Sequence, residues 1–147
     1  MSDDDLSREE HHQRGRDDAR TSNKFGQAAA QSAILINGGA ATALLAFLSQ
    51  VISKGDAIKF VIPWVMGSLF LYGAGVFFAA LSLPSASAAI ENYMLGHDRL
   101  PGARQDDAWT AADERWNEFM WRIRASLWTF AASTTLLALG LFLSFAR

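Results

Sequence analysis

Three long stretches of this chain contain no charged side chain: residues 25–53, 60–90 and 125–146 have no Asp, Glu, Lys, Arg or His. They are 29, 31 and 22 residues long, and all 28 charged residues fall among the other 65 positions. A helix on the outside of a water-soluble bundle keeps charge on its outer face; these stretches have none to offer. A helix crossing hydrocarbon needs about 20 mostly apolar residues, and each stretch supplies them. The expectation is an all-α integral membrane protein of three transmembrane helices. The spans run over about 28–52, 62–83 and 125–146, and the second extends toward 95.

Composition narrows the class further. Thirteen basic against fifteen acidic residues give a net charge of -2, so the basic excess of a nucleic-acid binder is missing. Without cysteine there are no disulfides, thiolate metal ligands or thiol nucleophiles. The chain opens Ser2-Asp3-Asp4-Asp5, acidic where a secretory signal is basic, so the first apolar stretch reads as a retained anchor. Residues 1–22 hold Leu6 as the only large aliphatic side chain after Met1. They are expected to form a charged, largely disordered arm, ahead of a membrane domain over 23–147. Glu9-Glu10-His11-His12 reads as solvated charge, because adjacent histidines do not share a helix face. No metal and no cofactor are expected.

Basic residues set the orientation. Arg8, Arg14, Arg16, Arg20 and Lys24 precede the first span, and Arg99, Arg104, Arg115, Arg122 and Arg124 lie between the second and third. The other two connecting or terminal segments hold only Lys54, Lys59 and Arg147. Ten against three places the N-terminus and the 96–124 segment in the cytoplasm and the C-terminus outside. Trp64 stands near one predicted interface and Trp121 and Trp128 near the other, as aromatic anchors do.

Leu100-Pro101-Gly102 signals a turn. Beyond Asp107, apolar residues recur at Trp109, Ala112, Trp116, Phe119, Met120, Ile123 and Leu127, in steps that trace one helical face. A helix from near Asp107 to the C-terminus would be about 60 Å long, about twice the hydrocarbon thickness. The excess is expected to form a cytoplasmic helical stalk beside an extended second helix. A helix lying on the membrane surface is the alternative. Trp109, Trp116 and Phe119 are the candidates for a face that meets a cytoplasmic partner.

Within the spans, small and polar residues mark where helices meet, since packing and hydrogen bonds drive association in lipid. Asn37, Gly38 and Thr42 on the first span, Tyr72 and Gly75 on the second, and Thr134 and Thr135 on the third are the candidates for helix packing or for lining a pore. Ala30, Gly38, Thr42 and Ala46 are expected on one face of the first helix, with Ile34 between them. An unpaired amide in hydrocarbon costs several kcal/mol, so Asn37 is expected to face protein or water. By depth it either clasps Tyr72 or Thr134 within the bundle or forms a constriction in an oligomeric pore.

The run Ile34-Leu35-Ile36-Asn37-Gly38-Gly39-Ala40-Ala41, followed by Leu44-Leu45-Ala46-Phe47-Leu48, resembles small uncharacterised bacterial inner-membrane proteins. The resemblance covers about 20 residues, implies a bacterial inner membrane and supplies no activity. No span holds His, Asp, Glu, Lys or Arg, the usual carriers of intramembrane chemistry, and Tyr72 alone is not a catalytic site, so an enzyme is not expected. Two classes remain: a non-enzymatic anchor or assembly subunit with a cytoplasmic partner, or a small homo-oligomeric pore. The expected partners are the lipid bilayer, further copies of the chain, or another membrane or cytoplasmic protein, and not nucleic acid.

Overall fold

The computed structural model describes residues 3–52, 61–98 and 103–145. They form three helices: α1 (Asp3–Ile52), α2 (Ile62–Asp98) and α3 (Ala103–Phe145). Each contains a segment long and apolar enough to cross a membrane: Arg20–Gln50, Ile62–Gly96 and Gln105–Ser144. The turns expected at 53–56 and 100–102 lie outside the described residues.

Three boundaries depart from the sequence expectation. α1 reaches back to Asp3, so residues 3–22, expected as a disordered arm, are helical. Gln13, Asp17 and Arg20 are exposed, and Arg20 comes within 3.8 Å of Asp17. The segment extends a helix already nucleated by the apolar stretch, which removes the costly first turn, and it contains no proline. α2 continues through Pro84 to Asp98. Pro84 lies on the exposed side, while Ser82, Ser85, Ala86 and Ala89 beside it are buried; packing on that face offsets the lost backbone bond. α3 begins at Ala103, a turn before the expected start.

The buried positions of α2 are spaced with unusual regularity. Val65, Ser68, Tyr72, Gly75, Ala79, Ser82, Ala86 and Ala89 are all buried, in strictly alternating steps of three and four. This is the 3.5-residue period of helices that keep one seam against their partners. On α3 the same alternation carries Phe119, Ile123, Ser126, Ser133 and Gly140 inward. On α1 the inward residues are Gly26, Ala30, Ala33, Asn37 and Leu44. The expected row Ala30, Ile34, Gly38, Thr42, Ala46 does not hold: Thr42 and Ala46 are exposed, and Ile34 and Gly38 half-buried. Repeated steps of four advance about 40° beyond a full turn each time, so such a row winds off the contact face.

The chain divides into two compact units, and each helix contributes to both. One comprises Met1–Ala30 and Leu81–Trp121, the other Gln31–Ala80 and Arg122–Arg147. The second unit has its side chains sorted in reverse of a soluble protein. Its largest fully buried side chains are Val65, Asn37, Ser68, Ser126 and Ser133, while Leu35, Phe70, Trp128 and Phe142 are 73, 77, 74 and 69% exposed. Leu44, Val65 and Tyr72 form its apolar cluster, flanked by Leu69, Phe130 and Leu137. The first unit differs in its charged exterior. Ala30, Ala86, Ala89, Ile90, Ala108, Ala112 and Phe119 are its buried apolar residues, with Ser82 and Ser85 also enclosed, and Asp17, Arg20, Lys24, Glu91, Asp106, Asp107, Asp113, Glu114 and Arg115 are exposed together with Phe25 and Trp121.

Candidate functional site

The polar residues enclosed in the second unit fall into three side-chain clamps between helices. In the first, Asn37 of α1 donates through Nδ2 to the carbonyl of Ala33 at 3.0 Å, to the Ser126 hydroxyl of α3 at 3.1 Å and to the Ser126 carbonyl at 3.4 Å. Asn37 and Ser126 are both fully buried. Thr129 donates to the same Ser126 carbonyl at 2.8 Å. The amide oxygen of Asn37 has no hydrogen-bond partner and sits against Gly75 of α2. A methyl on Gly75 would lie 2.6 Å from Asn37 Cγ and 2.7 Å from Thr129 Oγ1. The glycine is thus what lets the amide lie in the seam.

In the second clamp, the hydroxyls of Tyr72 and Thr134 are 3.0 Å apart, and the tyrosine ring packs on Phe130 with centroids 5.7 Å apart. The third is reciprocal. Ser68 donates to the carbonyl of Ser133 at 3.1 Å, and Ser133 donates to the carbonyl of Ser68 at 2.7 Å. Both serines are fully buried. Such mutual bonding requires the two helices to approach closely, which small side chains permit.

Asn37, Tyr72, Gly75 and Thr134 therefore join helix contacts as expected of packing residues, but the pairing differs from expectation. Asn37 bonds Ser126, and Tyr72 and Thr134 bond each other. Counting depth from the ends of the apolar stretches sets Asn37 level with Thr134; the helices place it about two turns away, level with Ser126. Gly38 is half-buried near Val76. Thr42 and Thr135 stand outside the clamps: each is exposed and donates to a carbonyl of its own helix, Gly38 and Ala131, at 2.9 Å. Sequence reasoning missed Ser68 and Ser126 as contact residues and noted Ser133 only as one of the small residues of the third span. Their signal is the seven-residue interval: Ser68, Gly75 and Ser82 on α2, and Ser126, Ser133 and Gly140 on α3. Gly140 faces Trp64, whose Cδ2 would stand 2.8 Å from an added methyl.

In the first unit, the face considered for a partner is turned largely onto the chain itself. Phe119 is buried, and Gly26 lies against both Phe119 and Ala86. Trp109 covers Gly96 and packs on Tyr93 with centroids 5.5 Å apart. Trp116 stacks on Phe119 at 5.1 Å. The spacing that suggested a docking face is an internal contact, since an apolar helix stripe is satisfied first by the nearest neighbouring helix. Polar groups rim this packing. Tyr93 donates to Asp113 at 2.6 Å, Ser85 donates to Glu118 at 3.2 Å, and Arg115 pairs with Glu118 at 3.1 Å. Among the described residues, no cluster of three His, Asp or Glu side chains could hold a metal ion.

Comparison with known protein families, with curated proteins and with solved structures finds no match to this chain.

Proposed function

We propose that this chain is a non-enzymatic integral protein of a bacterial inner membrane, acting as an anchor or assembly subunit. The second unit is the part held in the bilayer, and the first forms a cytoplasmic helical stalk. The observation that carries the reading is the reversed sorting of the second unit, with serines and an asparagine inside and phenylalanine, leucine and tryptophan outside. In water that arrangement forfeits the hydrophobic effect. In hydrocarbon the outer apolar surface costs nothing, and buried polar groups bonding across helices supply the association. The charged exterior of the first unit supports its place in water. The ten-to-three basic asymmetry supports a cytoplasmic N-terminus and an external C-terminus.

The three clamps support a scaffold whose helices are held in fixed register. Asn37, enclosed by its own chain, is not on a face that could line a pore between copies. With the apolar stripe of α3 used internally, a cytoplasmic partner would dock on the polar exterior of the stalk. Single reactive crosslinking residues at Glu114 and Glu91 test this in cells. A discrete crosslinked protein of constant mass supports the assembly role. Ion flux from the purified chain in liposomes, with no crosslinked partner, would overturn it.

A further inference from the structure

The second unit is almost free of charge, and its few charges are placed unevenly. Its described residues include two charged side chains, Arg122 and Arg124, and no acid. Both are near the start of its α3 segment. Arg124 is exposed and makes no ion pair among the described residues, whereas Arg115, two turns earlier, is engaged by Glu118. One turn past Arg124, at i+4, stands Trp128, 74% exposed. Beyond Trp128 the same face continues through Ala131, Thr135 and Phe142, all exposed; Thr135 returns its hydroxyl to the Ala131 carbonyl. The outer face of α3 therefore passes in one turn from an uncompensated guanidinium to an indole and then to unbroken apolar surface. From Arg124 to the helix end at Phe145 is 22 residues, about 33 Å of helix, close to the hydrocarbon thickness of about 30 Å.

We infer that Arg124 and Trp128 form a headgroup site for an anionic phospholipid, a proposal that rests on the bilayer reading above. A guanidinium matches a phosphate with two parallel hydrogen bonds. An indole prefers the boundary between headgroup and acyl chain. A phosphate ion or an acidic peptide would satisfy Arg124 and leave the face below it bare. A phospholipid presents phosphate and acyl chain in one molecule, in the order this face requires. Because Arg124 has no ion-pair partner among the described residues, an anionic lipid is favoured over a zwitterionic one.

The test uses the full chain in nanodiscs of equal phosphatidylglycerol and phosphatidylcholine, released into native mass spectrometry to count retained lipids. The wild type should retain phosphatidylglycerol in preference. Arg124→Gln should reduce that preference about fivefold, Trp128→Ala should lower total lipid retention, and Arg115→Gln should change neither. Equal retention of the two lipids by the wild type would overturn the site, as would an unchanged preference in Arg124→Gln. Soluble glycerol phosphate competing as well as the intact lipid would show a plain anion site and also overturn it. Alkaline extraction of membranes separates this failure from that of the underlying reading. A chain that stays in the pellet without lipid preference refutes the headgroup site alone, and a chain that leaves the membrane refutes both.

Discussion

Gly75 gives up its side-chain volume to Asn37: the amide of α1 occupies the space where a β-carbon of α2 would stand, with Thr129 of α3 closing the third side. Three helices meet at that point. Asn37 cannot yield without losing its bonds to Ser126. Gly75→Ala should therefore destabilise the chain by about 2 kcal/mol, as overpacking of a filled core does. Asn37→Ala should cost about 1 kcal/mol. The double variant should be no worse than Gly75→Ala alone, because removing the amide makes room for the methyl. Thermal unfolding in detergent micelles across the four-variant cycle measures this coupling; additive losses would contradict the packing.

The Ser68–Ser133 pair asks whether hydrogen bonding or close approach dominates. Ser68→Ala and Ser133→Ala each remove one donor, and the carbonyl left behind is still served by its own helix. Each should cost about 0.6 kcal/mol. Ser133→Leu adds volume where the helices touch and should cost about 1–3 kcal/mol. Comparing the melting shifts of Ser133→Ala and Ser133→Leu checks the order. A larger loss for alanine would mean that the bonds outweigh the packing.

These contacts show what could be read in advance. The three uncharged stretches announced three long helices, and the end of α1 at Ile52 and the start of α2 at Ile62 fall where expected. The need of Asn37 for a partner was legible because depth alone makes an amide costly. Its partner was not, because choosing Ser126 over Thr134 depends on how far α1 slides along α3, and an apolar stretch has no sharp marker of level. The helical stretch before Asn23 was missed for a different reason. Composition reports whether a segment can fold alone, and α1 continues there from a helix already begun.

In the first unit, Phe119 is the anchor and Glu114 a bystander. Phe119→Ala empties a buried site beside Gly26 and Trp116 and should cost about 3 kcal/mol. Glu114→Ala changes an exposed side chain and should stay within about 0.5 kcal/mol. Chemical unfolding followed by Trp fluorescence distinguishes them; equal effects would contradict the internal role of the aromatic face.

Tyr93→Phe removes the hydroxyl that meets Asp113 at 2.6 Å while leaving the ring on Trp109. A hydrogen bond to a charged acceptor contributes about 1.5–3 kcal/mol when shielded. Asp113 is exposed, so the expected loss is lower, about 1 kcal/mol. Asp113→Asn should give a similar loss, and the two together no more than either alone. A double variant that sums both losses would show that the two residues act separately.

The central claim is that the apolar exterior of the second unit faces hydrocarbon while the first unit faces water. The chain has no cysteine, so single introduced cysteines report on their own positions without background. The direct measurement is the reaction rate of a water-soluble, membrane-impermeant maleimide with the full chain in nanodiscs. Phe70→Cys and Phe142→Cys are compared with Asp113→Cys and Asp17→Cys. The account predicts rapid labelling at Asp113 and Asp17, and labelling at Phe70 and Phe142 only after the bilayer is dissolved. Equal and rapid labelling at all four positions in the intact bilayer would contradict it.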